Sequence, residues 1–67
     1  MNATQEAIFE ILHEGPATIP EMEARMHRTK AVIHHALKQM AKADKVRVQG
    51  TVITPKGQVA NLWEAVE

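Results

Sequence analysis

The 67-residue sequence predicts an α+β domain of three helices followed by a two-stranded β-hairpin, and three observations lead to it. Apolar residues recur at helical spacing, most clearly at Ile33, Ala36, Leu37 and Met40, whose i, i+3, i+4, i+7 positions share one stripe of a 3.6-residue helix. Gly15-Pro16 and the short His27-Arg28 junction divide the helical part into segments. Beyond Asp44 the pattern changes to valines at alternate positions, and Thr54-Pro55-Lys56-Gly57 then places Pro second and Gly fourth in a tight turn.

The first helix is expected over about 3–14, capped by Asn2 or Thr4, with Ala7, Ile8, Ile11 and Leu12 buried and Phe9 at the edge. Gly15 supplies a left-handed closing residue and Pro16 cannot continue a helix. Ala17-Thr18-Ile19 forms a short extended link. The second helix runs over about 20–26, because Pro20 suits a first helical position whose N–H needs no partner. Met22 and Met26 point inward, while Glu21 and Glu23 sit near the positive end of the helix dipole. His27 must then take a turn or left-handed backbone that Gly more often supplies. The third helix covers about 29–43, with Thr29 as its cap. The hairpin occupies 46–66, its first strand placing Val46, Val48 and Val52 on one face and Arg47, Gln49, Thr51 and Ile53 on the other. Gly50, in mid-strand, marks a bulge or bend. No repeat, linker or low-complexity segment interrupts this order, so residues 1–67 form a single domain.

A chain this short buries only about 60% of the surface its unfolded form exposes. Without cysteine, its stability rests on aliphatic packing rather than on disulfides or a thiolate metal site. No apolar run approaches the ~20 residues that cross a bilayer, and the N-terminus has no signal-peptide pattern, which predicts a cytoplasmic protein with no membrane partner. A net charge of zero conceals a strong asymmetry. Residues 1–24 carry five glutamates and no Lys or Arg, whereas residues 25–47 carry Arg25, Arg28, Lys30, Lys38, Lys42, Lys45 and Arg47 against Asp44 alone. Such runs are as often solvated faces as binding surfaces, and the fold has to decide between the two.

The third helix supplies that context. Opposite its apolar stripe, at roughly 100° per residue, come Ala31, His34, His35, Lys38 and Lys42. Arg28 and Lys30 add positive charge where the dipole is already positive, an arrangement that an anion such as phosphate relieves. Adjacent His34 and His35 diverge around the helix, and none of the four histidines stands at i, i+4 from another, so no zinc site is predicted. The sequence holds no Ser or Cys nucleophile and no Gly-rich phosphate loop, and no enzyme or cofactor is predicted. Trp63 and the methionines read as core.

The element order, together with Ile8, Ile11 and Leu12, the run Gly15-Pro16-Ala17-Thr18-Ile19-Pro20-Glu21-Met22, and the run from Thr29 to Met40, resembles the winged helix-turn-helix family, including MarR-like and DeoR-like bacterial regulators. Thr29, Ile33 and Leu37 match the family's capping residue and two apolar positions at four-residue steps. Asp44 and His27 stand where the family more often has Gly or Asn. The related Z-DNA-binding domains carry Asn and Tyr on the third helix, where this chain has His34 and Lys38, so left-handed DNA is not implied. The resemblance implies a wing at 46–66 and a third helix in the major groove of double-stranded DNA. It brings Thr29, Lys30, Ala31, His34, His35 and Lys38 toward the DNA and places Arg28, Lys42, Arg47 and Lys56 on phosphates. It also implies a small prokaryotic, phage or plasmid transcriptional regulator. Without the terminal helices through which MarR-like proteins dimerise, the expectation is a monomer, or a homodimer or protein complex formed through the acidic N-terminal helices. Winged helices also serve as protein-interaction modules, and that reading is the alternative.

Overall fold

The computed structural model describes residues 2–66. Helices α1 (Ala3–Glu14), α2 (Ile19–Met26) and α3 (Lys30–Lys42) precede an antiparallel hairpin of strands β1 (Val46–Ile53) and β2 (Val59–Ala65). Three helices with a two-stranded wing make this a winged helix-turn-helix fold, as the sequence predicts.

Each helix begins at a side-chain cap. Asn2 accepts from the backbone N–H of Gln5 at 2.9 Å, which selects Asn2 over Thr4 as the first cap. Thr18 and Glu21 form a reciprocal capping box, so α2 starts at Ile19, one residue before the expected Pro20. Buried Thr18 thereby has its polar groups satisfied, its hydroxyl donating to Glu21 Oε1 at 3.1 Å. Thr29 accepts from the N–H of Val32 at 3.3 Å and caps α3.

The helix ends explain where Gly is needed and where it is not. Gly15 closes α1 at φ 150°, ψ 166°, an extended positive-φ region open essentially to Gly alone, rather than in the left-handed conformation expected from sequence. His27 does adopt the left-handed conformation, at φ 55°, ψ 38°. Asp44, at φ 58°, does the same beyond α3. The Asp44 N–H donates to the Ala41 carbonyl at 3.0 Å and the Lys45 N–H to Met40 at 2.9 Å, the paired bonds of a Schellman closure that Gly usually serves.

Ile8, Ile11, Leu12, Met22, Ile33, Ala36, Leu37 and Met40 form one core with Ala17, Val46 and Trp63. Ala7 is only half-buried. The wing is joined to this core at its base, where Ala17 bridges to Trp63 and makes the link after α1 a single-residue third strand.

The register of the wing corrects the expected division of its faces. Val48 pairs with Trp63 but Gly50 pairs with Leu62, so Gln49 is bulged out of the ladder. A single extra residue reverses the alternation beyond it. Val46, Val48, Thr51 and Ile53 therefore share a face with Ala65, Trp63, Asn61 and Val59, while Val52 moves to the face of Arg47. The tip is a tight turn closed by Gly57 at φ 82°, with the Gly57 N–H donating to the Thr54 carbonyl at 2.8 Å.

Candidate nucleic-acid interface

Burial of the stripe Ile33, Ala36, Leu37 and Met40, each at most 4% exposed, determines which side of α3 is free. Lys30, Ala31, His34, His35, Lys38 and Lys42 all lie exposed on the outward side. At 100° per residue, Ala31, His35, Lys38 and Lys42 fall within a sector of about 60°. His34 and Lys30 are displaced from that sector in the direction of the wing. On the other flank the Gln5 amide donates to Gln39 Oε1 at 3.1 Å and ties α3 to α1.

The wing closes the side of the face nearest the start of α3. Lys30 and His34 line a groove of about 230 Å³ whose far wall is Gln58, Val59, Asn61 and Trp63. Lys30 also borders a wider groove, about 620 Å³, with Thr54, Pro55 and Lys56 at the wing tip and Glu23 on α2. Lys56, far away in sequence, is thus brought to the edge that Lys30 and His34 form on α3. Gln58 and Asn61 join them there and were not among the residues expected from sequence. The signal for Asn61 is its two-residue spacing from Trp63, which puts both side chains on one face of β2.

Two of the expected phosphate contacts lie away from this edge. Arg28 shares a groove of about 290 Å³ with Glu10 and Glu14 of α1, where Arg25 already pairs with Glu14 at 2.8 Å. Arg47 sits on the outer face of the wing, opposed to Glu64 and bonded to its carboxylate at 2.5 Å. Among the described residues, no ion pair engages Lys30, Lys38, Lys42 or Lys56. Four ammonium groups arranged along one helix face and the adjoining hairpin tip, with Glu23 the carboxylate that borders their groove, form a surface suited to a polyanion.

Other chemistry has less support in the geometry. The four histidines do not converge, and among the described residues no three His, Asp or Glu side chains are grouped to hold a metal ion. Among those residues, too, no helix is long and apolar enough to cross a membrane.

A helix-turn-helix whose last helix is flanked by a β-hairpin defines the winged-helix class of fold. The chain is similar in structure to the adhesin competence repressor AdcR from Streptococcus pyogenes, with a TM-score of 0.85 and 19% sequence identity. The likeness covers 100% of this chain and 47% of AdcR, so the chain spans about half the length of that protein. No protein-family model and no curated protein sequence matches it.

Proposed function

We propose that the chain is a non-enzymatic DNA-binding protein, a small transcriptional regulator of the MarR-like or DeoR-like kind, acting in the cytoplasm of a prokaryote or on behalf of a phage. It lays α3 in the major groove of double-stranded DNA and the wing along the neighbouring backbone. The observation that carries this reading is the row of lysines from Lys42 and Lys38 through Lys30 to Lys56, none of them in an ion pair among the described residues. Ala31, His34, His35 and Lys38 present the side chains nearest the base edges. Thr29 and Lys30 bring the positive end of α3 to a phosphate, and Lys42 and Lys56 neutralise phosphates on either side. Arg28 and Arg47 contribute from the periphery, in competition with the glutamates beside them. No cofactor takes part. The exposed glutamates of α1, Glu6 and Glu10, mark the side on which a homodimer or protein partner docks.

The test is a salt titration on a mixed-sequence duplex, comparing wild type with a Lys38→Ala, Lys42→Ala double variant. Each lost phosphate contact makes the slope of log affinity against log salt shallower by about 0.9. A reduction of about two in the double variant, with an unchanged melting curve, is the expected result. Equal slopes would remove α3 from the interface. Failure of the wild type to bind at low salt would favour a protein-interaction module instead.

A further inference from the structure

Among the exposed side chains of α3, only Ala31 and Val32 carry no hydrogen-bonding group. Measured around the helix, Ala31 lies opposite the centre of the buried stripe, in the sector of His35, Lys38 and Lys42. Val32, 44% exposed, lies about 100° away on the flank of Gln39. Along the axis the outward sector is graded. Ala31 is the second residue after the Thr29 cap and His35 follows one turn later, while Lys38 and Lys42 stand roughly 10 and 16 Å beyond Ala31 at 1.5 Å per residue. A recognition helix contacts base edges with its N-terminal residues. The shortest side chain of the sector is thus placed where the approach to the bases is closest, and the long cations follow toward the other end.

A side chain that neither donates nor accepts cannot distinguish bases by hydrogen bonds. The apolar feature of the major groove is the C5-methyl group of thymine, which a methyl side chain reads by packing on it. Cytosine has only a hydrogen at that carbon, and the purines present the N7 acceptor, which loses water against a methyl group and gains no partner.

We infer that Ala31 selects thymine, packing its Cβ on the C5-methyl group of one base in the major groove, and so determines part of the sequence specificity. The inference rests on the DNA-binding reading and adds to it a base preference that phosphate contacts do not supply.

The experiment begins with selection of duplexes by the wild type from a random-sequence pool. Each thymine of the selected sequence is then replaced singly by uracil, which keeps the base pair and removes the methyl group. Affinities are measured for wild type, Ala31→Gly and Ala31→Ser, with melting curves to establish that all three are folded. The expected result is one thymine per bound copy at which uracil weakens the wild type about fourfold, equivalent to about 0.8 kcal/mol for one buried methyl, and leaves Ala31→Gly unaffected. The salt slope is the same on the thymine and uracil duplexes, because a methyl group releases no counterion. Selection with Ala31→Ser should accept other bases at that position, since a hydroxyl can bond to any of them. If no uracil substitution weakens the wild type, or if the wild type binds duplex but selects no sequence, the inference is overturned and the DNA-binding reading stands. A uracil effect that Ala31→Gly keeps in full also overturns it and assigns the methyl contact to another side chain, such as Val32. A wild type that binds no duplex at any salt overturns both.

Discussion

Ala17 and Trp63 exchange two backbone hydrogen bonds, the Ala17 N–H donating to the Trp63 carbonyl at 3.0 Å and the Trp63 N–H to the Ala17 carbonyl at 2.8 Å. This closed pair attaches β2 to the link between α1 and α2, so the orientation of the wing is set by the helical core rather than by the turn alone. The Trp63 side chain sits in the same junction, 8% exposed, with its indole Nε1 buried and without a partner among the described residues.

Trp63→Ala is expected to cost about 3–5 kcal/mol by opening a large cavity at that junction. Trp63→Phe also leaves a cavity but removes the unpartnered donor, whose burial costs about 1–3 kcal/mol. The Phe variant should therefore lose less than half of what the Ala variant loses in chemical denaturation. A Phe variant as unstable as the Ala variant would show that Nε1 has a partner in solution.

Leu37 is fully buried at the centre of the α3 stripe. Leu37→Ala should cost about 2–5 kcal/mol, a large share of the stability available to a small domain. Thermal melting is the measurement, and a hardly altered midpoint would contradict the packing described for α3.

His27 and Asp44 both hold left-handed backbone on exposed sites. Gly relieves the conformational penalty but adds freedom to the unfolded chain, an opposing effect of about 0.4–1 kcal/mol. His27→Gly should stabilise by about 0.5 kcal/mol, a few degrees in melting temperature for a domain of this size. Asp44→Gly should gain less, because Asp tolerates this region better. Melting of the single variants checks both the sign and the order.

Lys56 and Arg47 are both wing cations, yet among the described residues only Arg47 is in an ion pair. Lys56→Ala is expected to reduce the salt slope for DNA by about one, and Arg47→Ala to reduce it by much less. Glu64→Gln should narrow the difference by releasing the Arg47 guanidinium. Identical slopes for Lys56→Ala and Arg47→Ala would show that the Arg47–Glu64 pair does not persist in solution.

Local chemistry made much of this architecture legible. The stripe from Ile33 to Met40 needed only helical periodicity, and the left-handed His27 followed from the short junction between two helices. The Thr18–Glu21 capping box was also written in the sequence but was obscured by Pro20, which marks a helix start almost as well. What could not be read locally depends on pairing between distant segments. Ala17 gives no strand signal by itself, and its role as a third strand exists only because Trp63 returns beside it. Gly50 advertised a bulge, but which residue would be extruded, and hence which side chains look toward α3, was decided by the register against β2. Asn61 was legible from its two-residue spacing to Trp63 once that Trp is placed in the core, whereas the neutralisation of Arg47 by Glu64 depends on cross-strand pairing and could not be anticipated from a count of charges.

The extruded Gln49 has a consequence for how such a wing changes over generations. Strand side chains obey a parity, odd positions to one side and even to the other, and one inserted residue inverts that parity for everything downstream while leaving the upstream anchor untouched. Deleting Gln49 would therefore close the ladder without moving any pair, leaving Ile53 opposite Val59 and on the face of Trp63, whereas drawing Gln49 into the ladder would turn the tip over and present Val52 where Ile53 now stands. The bulge is thus a place in the hairpin where a codon can be lost without turning any downstream side chain to the other face.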